Sequence, residues 1–219
     1  MGAIGDMFEH GQPSYMFRFF SERLNKEFCR IYGLENLEIP LEDHKDQSQL
    51  KDSNHAVTVW LTNLTRLYLE FIRYEHAPNF SFVDVGHGNG VATLFAAKCF
   101  NFQSFQGIEI DKRLNDCVLR NLTKISPFLQ RNTPPVFIEA DLIDYKLKFQ
   151  KHFLFLFNPF GWGTMETFLS NNSDIIEQQG VYFGLANDYI LKDIMSPHHC
   201  ELLWRNRKTN CSLVKFDIR

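Results

Sequence analysis

No two of the five cysteines (Cys29, Cys99, Cys117, Cys200, Cys211) form a CxxC or CxxH pair, and their number is odd. That argues against a structural zinc site and a disulfide framework, and it suits a reducing compartment. There is also no apolar run of about 18 residues, so no membrane span is expected. The first 20 residues carry Asp6 and Glu9 ahead of any apolar stretch, unlike a secretory leader. A cytoplasmic protein is expected. Net charge is scarce as well, at −3 with a pI near 6.2, so no global basic field draws the chain onto nucleic acid or lipid. The local basic residues Arg205, Arg207, Lys208, Lys215 and Arg219 are the one set to weigh against that. Internal repeats and low-complexity tracts are missing. His198 and His199 are adjacent and cannot share a helix face, so no metal site is expected.

Phenylalanine is what the chain has in abundance, 22 of 219 residues, enough large rings to build a sizeable core. Hydrophobic residues at 44% and charged ones at 22% describe one globular domain with a modest N-terminal addition. Within residues 15–32 the positions Met16, Phe19, Phe20, Leu24, Phe28 and Ile31 recur at intervals of three and four. This predicts an amphipathic helix starting at Pro13 or Ser14, stopped by Gly33, with those positions as its apolar stripe. Residues 35–52 hold six acids against two lysines and read as a solvated segment, a mobile lid in the functional version. A second helix is predicted over 54–74, with Val57, Leu61, Leu64, Leu67, Tyr68 and Phe71 on one stripe. These elements make residues 1–78 a helical cap and 79–219 the main domain.

From Phe80 the pattern changes. Short apolar runs at 80–85, 105–110, 136–140, 153–157 and 180–185 alternate with helix-like segments at 91–99, 111–125, 142–147 and 164–177. Near-continuous apolar strands joined by helices imply a parallel sheet covered on both faces, an α/β Rossmann-like architecture. Residues 200–206 and 211–218 flank a four-residue polar link and read as an antiparallel hairpin.

The most informative stretch is Asp84-Val85-Gly86-His87-Gly88-Asn89-Gly90. Here a strand ends in an acid and alternating glycines lead into a helix. Glycines at such a turn tolerate positive φ and let a ligand approach the backbone. The helix start adds free N–H groups and a positive dipole end. The spacing lacks the third glycine of G-x-G-x-x-G, which weighs against a nicotinamide-dependent oxidoreductase. Glu109 closes the next strand 19 residues after Gly90, where an acid can hold two ribose hydroxyls. Asp141 follows the third strand, with Leu142 beside it, and Asn158-Pro159-Phe160 follows the fourth. All stand at the carboxyl ends of parallel strands, where open α/β sheets bind ligands.

These residues resemble the class I S-adenosylmethionine-dependent methyltransferases over about Phe80 to the C-terminus, and more narrowly small bacterial members with an Asn-Pro-Phe motif. The motif style also resembles that of the seven-strand histone-lysine methyltransferases. The resemblance implies S-adenosylmethionine as cofactor, held by Asp84, Gly86, His87, Gly88, Gly90, Glu109, Asp141 and Leu142. It implies that Asn158, Pro159 and Phe160 meet the acceptor: Asn158 and the Pro159 carbonyl accept hydrogen bonds from a target nitrogen, and the Phe160 ring packs on it. His87 and Asn89 depart from the family's usual occupants, and the side chain of His87 is read as pointing to solvent. The acceptor is expected to be a protein or small-molecule amine rather than nucleic acid. A non-catalytic cofactor-binding module and an RNA methyltransferase are the competing readings.

Overall fold

The computed structural model describes residues 11–37, 59–130, 133–157, 160–195 and 200–216. Seven strands form one sheet: β1 (Ser81–Val85), β2 (Ser104–Glu109), β3 (Val136–Glu139), β4 (His152–Phe157), β5 (Val181–Ala186), β6 (Cys200–Asn206) and β7 (Cys211–Phe216). Their order is β3-β2-β1-β4-β5-β7-β6. The first five are mutually parallel, and β7 enters antiparallel between β5 and β6. The chain builds outward from β1 to β3 and then returns to place β4 on the other side of β1. That reversal is a topological switch point, and it opens a crevice at the carboxyl ends of β1 and β4.

Helices α1 (Tyr15–Tyr32), α2 (Leu61–Phe71), α3 (Val91–Cys99), α4 (Lys112–Ile125), α5 (Trp162–Asn171), α6 (Ser173–Gln179) and α7 (Leu191–Met195) accompany the sheet. The single helix expected over 164–177 is two, α5 and α6. Asn172 divides them because its amide is committed elsewhere. Its Oδ1 accepts the Leu147 N–H at 2.7 Å, and its Nδ2 donates to the carbonyls of Tyr145 and Phe168. The segment expected as a helix near 142–147 is one 3₁₀ turn, Leu142–Asp144.

Alternation along the strands produces two cores. Phe82, Phe153, Phe155 and Tyr182 face α2 and α3, whereas Val83, Val85, Leu154, Leu156 and Phe183 face α5, α6 and α7. On the first face Phe71 of α2 meets Phe80, Phe102, Phe153 and Tyr182 at ring-centroid distances of 4.8–5.6 Å. Helix α2 therefore shares the core of the sheet, and a boundary at residue 78 does not divide the packing.

Helix α1 begins and ends as its sequence indicates. The Ser14 hydroxyl accepts the Phe17 N–H, and Gly33 takes a left-handed φ of 64°. Its orientation is a correction. Of the expected stripe only Phe28 is buried, while Met16, Phe19, Phe20, Leu24 and Ile31 face outward. The side that meets the protein carries Phe17, Ser21, Asn25, Phe28 and Tyr32, a helical row of mixed polarity. Among the described residues no helix is long and apolar enough to cross a membrane.

Candidate active site

The loop leaving β1 is fastened to β2 at once, because the Ile108 carbonyl accepts the N–H groups of Gly86 and His87 at 2.9 and 3.1 Å. Gly86, Gly88 and Gly90 all take positive φ. Gly90 has a second constraint: a Cβ there would lie 2.0 Å from Val118 Cγ2, so only glycine lets α3 start this close to α4. A Cβ at Gly88 would meet nothing within 4 Å. The loop is thus packed beneath Gly90 and open above Gly88, a bare stretch of backbone that a ligand can approach.

Glu109 turns from the end of β2 onto this loop. Its Oε2 accepts the Gly88 N–H at 3.0 Å and its Oε1 accepts the Asp111 N–H at 2.9 Å. Burial pushes its pKa up, and those two bonds oppose the rise by stabilising the charged form. Each oxygen keeps a lone pair for one further donor, such as a hydroxyl. Asp84, on the same face of the sheet, is 3% exposed and accepts the Thr93 hydroxyl at 2.6 Å. Burial, reinforced by the Glu109 charge, raises its pKa to about 7 despite the Thr93 bond.

Asp141 lies at the same edge, since the Ala140 N–H donates to the Glu109 carbonyl at 3.1 Å. Its Oδ1 accepts the Ile143 N–H and caps the 3₁₀ turn, while Leu142 is buried in the second core. The topology therefore brings Asp84, the glycine loop, Glu109 and Asp141 to one edge of the sheet.

His87 corrects the sequence reading. It is 5% exposed rather than in solvent. Gly107 of β2 has no side chain, and the imidazole fills that space: a Cβ at Gly107 would lie 2.7 Å from His87 Cδ2. The ring stands edge-on to Phe137 at 5.0 Å, with its nitrogens 2.8 Å from the Gly88 carbonyl and 3.2 Å from Asn115 Oδ1. Burial lowers its pKa to about 4, so the ring is neutral at pH 7 and serves as packing under the loop.

Asn158 and Pro159 lie outside the described residues. Phe160 is 7% exposed and packs in the second core, so its ring is placed with the protein interior rather than toward an acceptor. Of the acidic segment, Glu35 is tied down by Arg120 at 2.8 Å and Lys124 at 2.9 Å, and residues 38–52 lie outside the described residues. Among the described residues no group of three or more His, Cys, Asp or Glu could hold a metal ion.

The polar residues that the sequence reading passed over are Asn115 and Asn121 of α4. Asn121 falls on the helix's inner row with Leu114, Val118 and Ile125, where an amide is out of place unless it has partners. That mismatch was the available signal.

The strand order, with β7 reversed between β5 and β6, is the Rossmann-like fold of the class I methyltransferases. No family model matches the chain, and no curated protein matches it in sequence. Solved structures do. A candidate RNA methyltransferase of Pyrococcus horikoshii aligns at 15% identity over 89% of this chain and 98% of its own, with a TM-score of 0.54. A candidate methyltransferase of Escherichia coli aligns at 14% identity over 72% of this chain and 86% of its own, TM-score 0.51. For a candidate methylase of Haemophilus influenzae the values are 16%, 73%, 99% and 0.50. At such identities the likeness establishes the fold.

Proposed function

We propose that this chain is an S-adenosylmethionine-dependent methyltransferase of the cytoplasm, acting on a nitrogen of a protein or small-molecule amine. The observation that carries the reading is the pairing of an open, positive-φ glycine loop with a buried carboxylate at the next strand end. The residues suit this cofactor: Gly88 leaves backbone bare, and Glu109 keeps lone pairs for vicinal hydroxyls. Its Asn-Pro-Phe sequence supports a kinship with the small bacterial members of the fold.

When bound, S-adenosylmethionine supplies a methyl group activated by a sulfonium. Glu109 would orient the ribose, and Asp141, Leu142 and the backbone of residues 86–90 would line the rest of the cofactor. Asp84 ties β1 to the start of α3 through Thr93 and so braces the two ends of the loop. Asn158 would accept a hydrogen bond from the acceptor nitrogen and aim its lone pair. Methyl transfer needs no protein nucleophile; it needs alignment, exclusion of water and an acceptor nitrogen that has already lost its proton.

Calorimetric titration with S-adenosylhomocysteine tests the cofactor assignment. Glu109→Ala should weaken binding about 30- to 1000-fold, or about 2–4 kcal/mol, by removing charge-assisted hydrogen bonds. Equal affinities for wild type and variant would sink the role of Glu109. Formation of S-adenosylhomocysteine with cell extract would separate an enzyme from a non-catalytic binding module, and nuclease treatment of that extract would separate amine from RNA acceptors.

A further inference from the structure

The cofactor loop is held from two sides, and the second side is built by Asn121 and residues 35–37, none of which enters the cofactor assignment above. Asn121 of α4 is fully buried. Its Oδ1 accepts the Glu35 N–H at 2.7 Å, and its Nδ2 donates to the Glu35 carbonyl at 2.9 Å. This reciprocal pair imitates a strand-to-strand contact between α4 and the segment that follows α1. The same Nδ2 also donates to the Asn89 carbonyl at 3.2 Å, inside the glycine loop. Asn89 returns the contact: its Nδ2 donates to Asn36 Oδ1 at 2.6 Å and to the Leu37 carbonyl at 3.3 Å. Its own Oδ1 accepts the Val91 N–H at 3.2 Å, at the start of α3. The Glu35 carboxylate is clamped outside by Arg120 and Lys124.

From this network we propose that Asn121 is a positioning residue for the cofactor, acting through Asn89 and residues 35–37 to hold the glycine loop in its binding conformation. Asn89 sits between Gly88 and Gly90, two residues with little conformational preference of their own. A loop of that kind needs an external partner to stay in one shape, and Glu109 supplies only the partner at Gly88. The strap at residues 35–37 supplies the other. The proposal rests on the cofactor reading above and adds a coupling to it. If docking of the strap tightens cofactor binding, binding must tighten docking by the same factor.

The experiment pairs calorimetry using S-adenosylhomocysteine with amide hydrogen exchange at Glu35, whose N–H faces Asn121. Asn121→Ala should weaken binding about tenfold, the scale of one or two lost buried hydrogen bonds. Because Asn121 is buried, the exposed Asn36 provides a variant that leaves the core intact. Asn36→Ala should weaken binding about threefold, and Asn36→Asp, which keeps the acceptor for Asn89, should restore it. In the wild type, saturating S-adenosylhomocysteine should slow exchange at Glu35 by about the factor that Asn121→Ala loses in affinity. If Asn121→Ala and Asn36→Ala both bind within twofold of a binding wild type, this proposal alone is overturned. Weaker binding with no change in Glu35 exchange also overturns it, since linkage requires both. A wild type that does not bind at all overturns the cofactor reading and this proposal together.

Discussion

Helices α1 and α2 have the same apolar periodicity, yet they are held in opposite ways. In α2 the row Leu61, Leu64, Leu67 and Phe71 is fully buried against the aromatic face of the sheet. In α1 the comparable row looks outward, with Phe20 56% and Ile31 62% exposed. What fastens α1 is largely polar. The Ser21 hydroxyl meets the Thr62 hydroxyl at 2.7 Å, Asn25 donates to the Val59 carbonyl, and its Oδ1 accepts the Leu61 N–H. Arg66 lies over the Phe17 ring at 4.5 Å, and Phe28 meets Phe95 edge-on. Apolar periodicity shows that a segment is helical. It does not choose the buried face when the partner offers hydroxyls and backbone groups, because those contacts reward Ser and Asn at the interface.

The largest expected effect tests the α2 side. Phe71→Ala should cost about 3–5 kcal/mol of unfolding free energy in urea, through lost burial and the cavity left among four rings. A loss below 1 kcal/mol would show that the aromatic face tolerates the hole and that α2 is not a core element.

The second tests a polar group that is buried almost as deeply as Phe71 but titrates. The Asp84 carboxyl is near pH 7 in the folded chain against an ordinary value near 4. Between those values the unfolded chain gives up the proton while the folded one keeps it, so this group's contribution to stability falls as pH rises. Asp84→Asn should therefore gain stability over wild type between pH 4 and 7, on the order of 2–4 kcal/mol. His87 acts in the other sense, costing stability as pH falls from 6.5 toward 4, and it is present in both proteins. A constant difference between the two stabilities across that range would refute the burial of Asp84.

The smallest effects belong to α1. Ser21→Ala should cost about 1 kcal/mol through the lost contacts with Thr62 and the Phe17 carbonyl. Phe20→Ser, despite removing a large ring, should change the thermal midpoint by no more than about 0.5 kcal/mol warrants. If Phe20→Ser proved costlier than Ser21→Ala, the outward row would be the packed one and the comparison would reverse.

Local chemistry made much of the molecule readable from the chain. Ser14 and Gly33 bound α1 because caps work through side chains and φ angles within a few residues. The strands were legible because β4 and β5, buried on both faces, are apolar almost throughout. Glu109 was legible because an acid that closes an apolar strand needs partners for its charge. Strand order, the inward turn of His87 and the burial of Phe160 were decided only when distant segments met. Asn121 and Glu35, 86 positions apart, are the clearest instance. Nothing near Asn121 in the chain names its partner, because an amide on an apolar row states that a hydrogen bond is needed and only the fold supplies it.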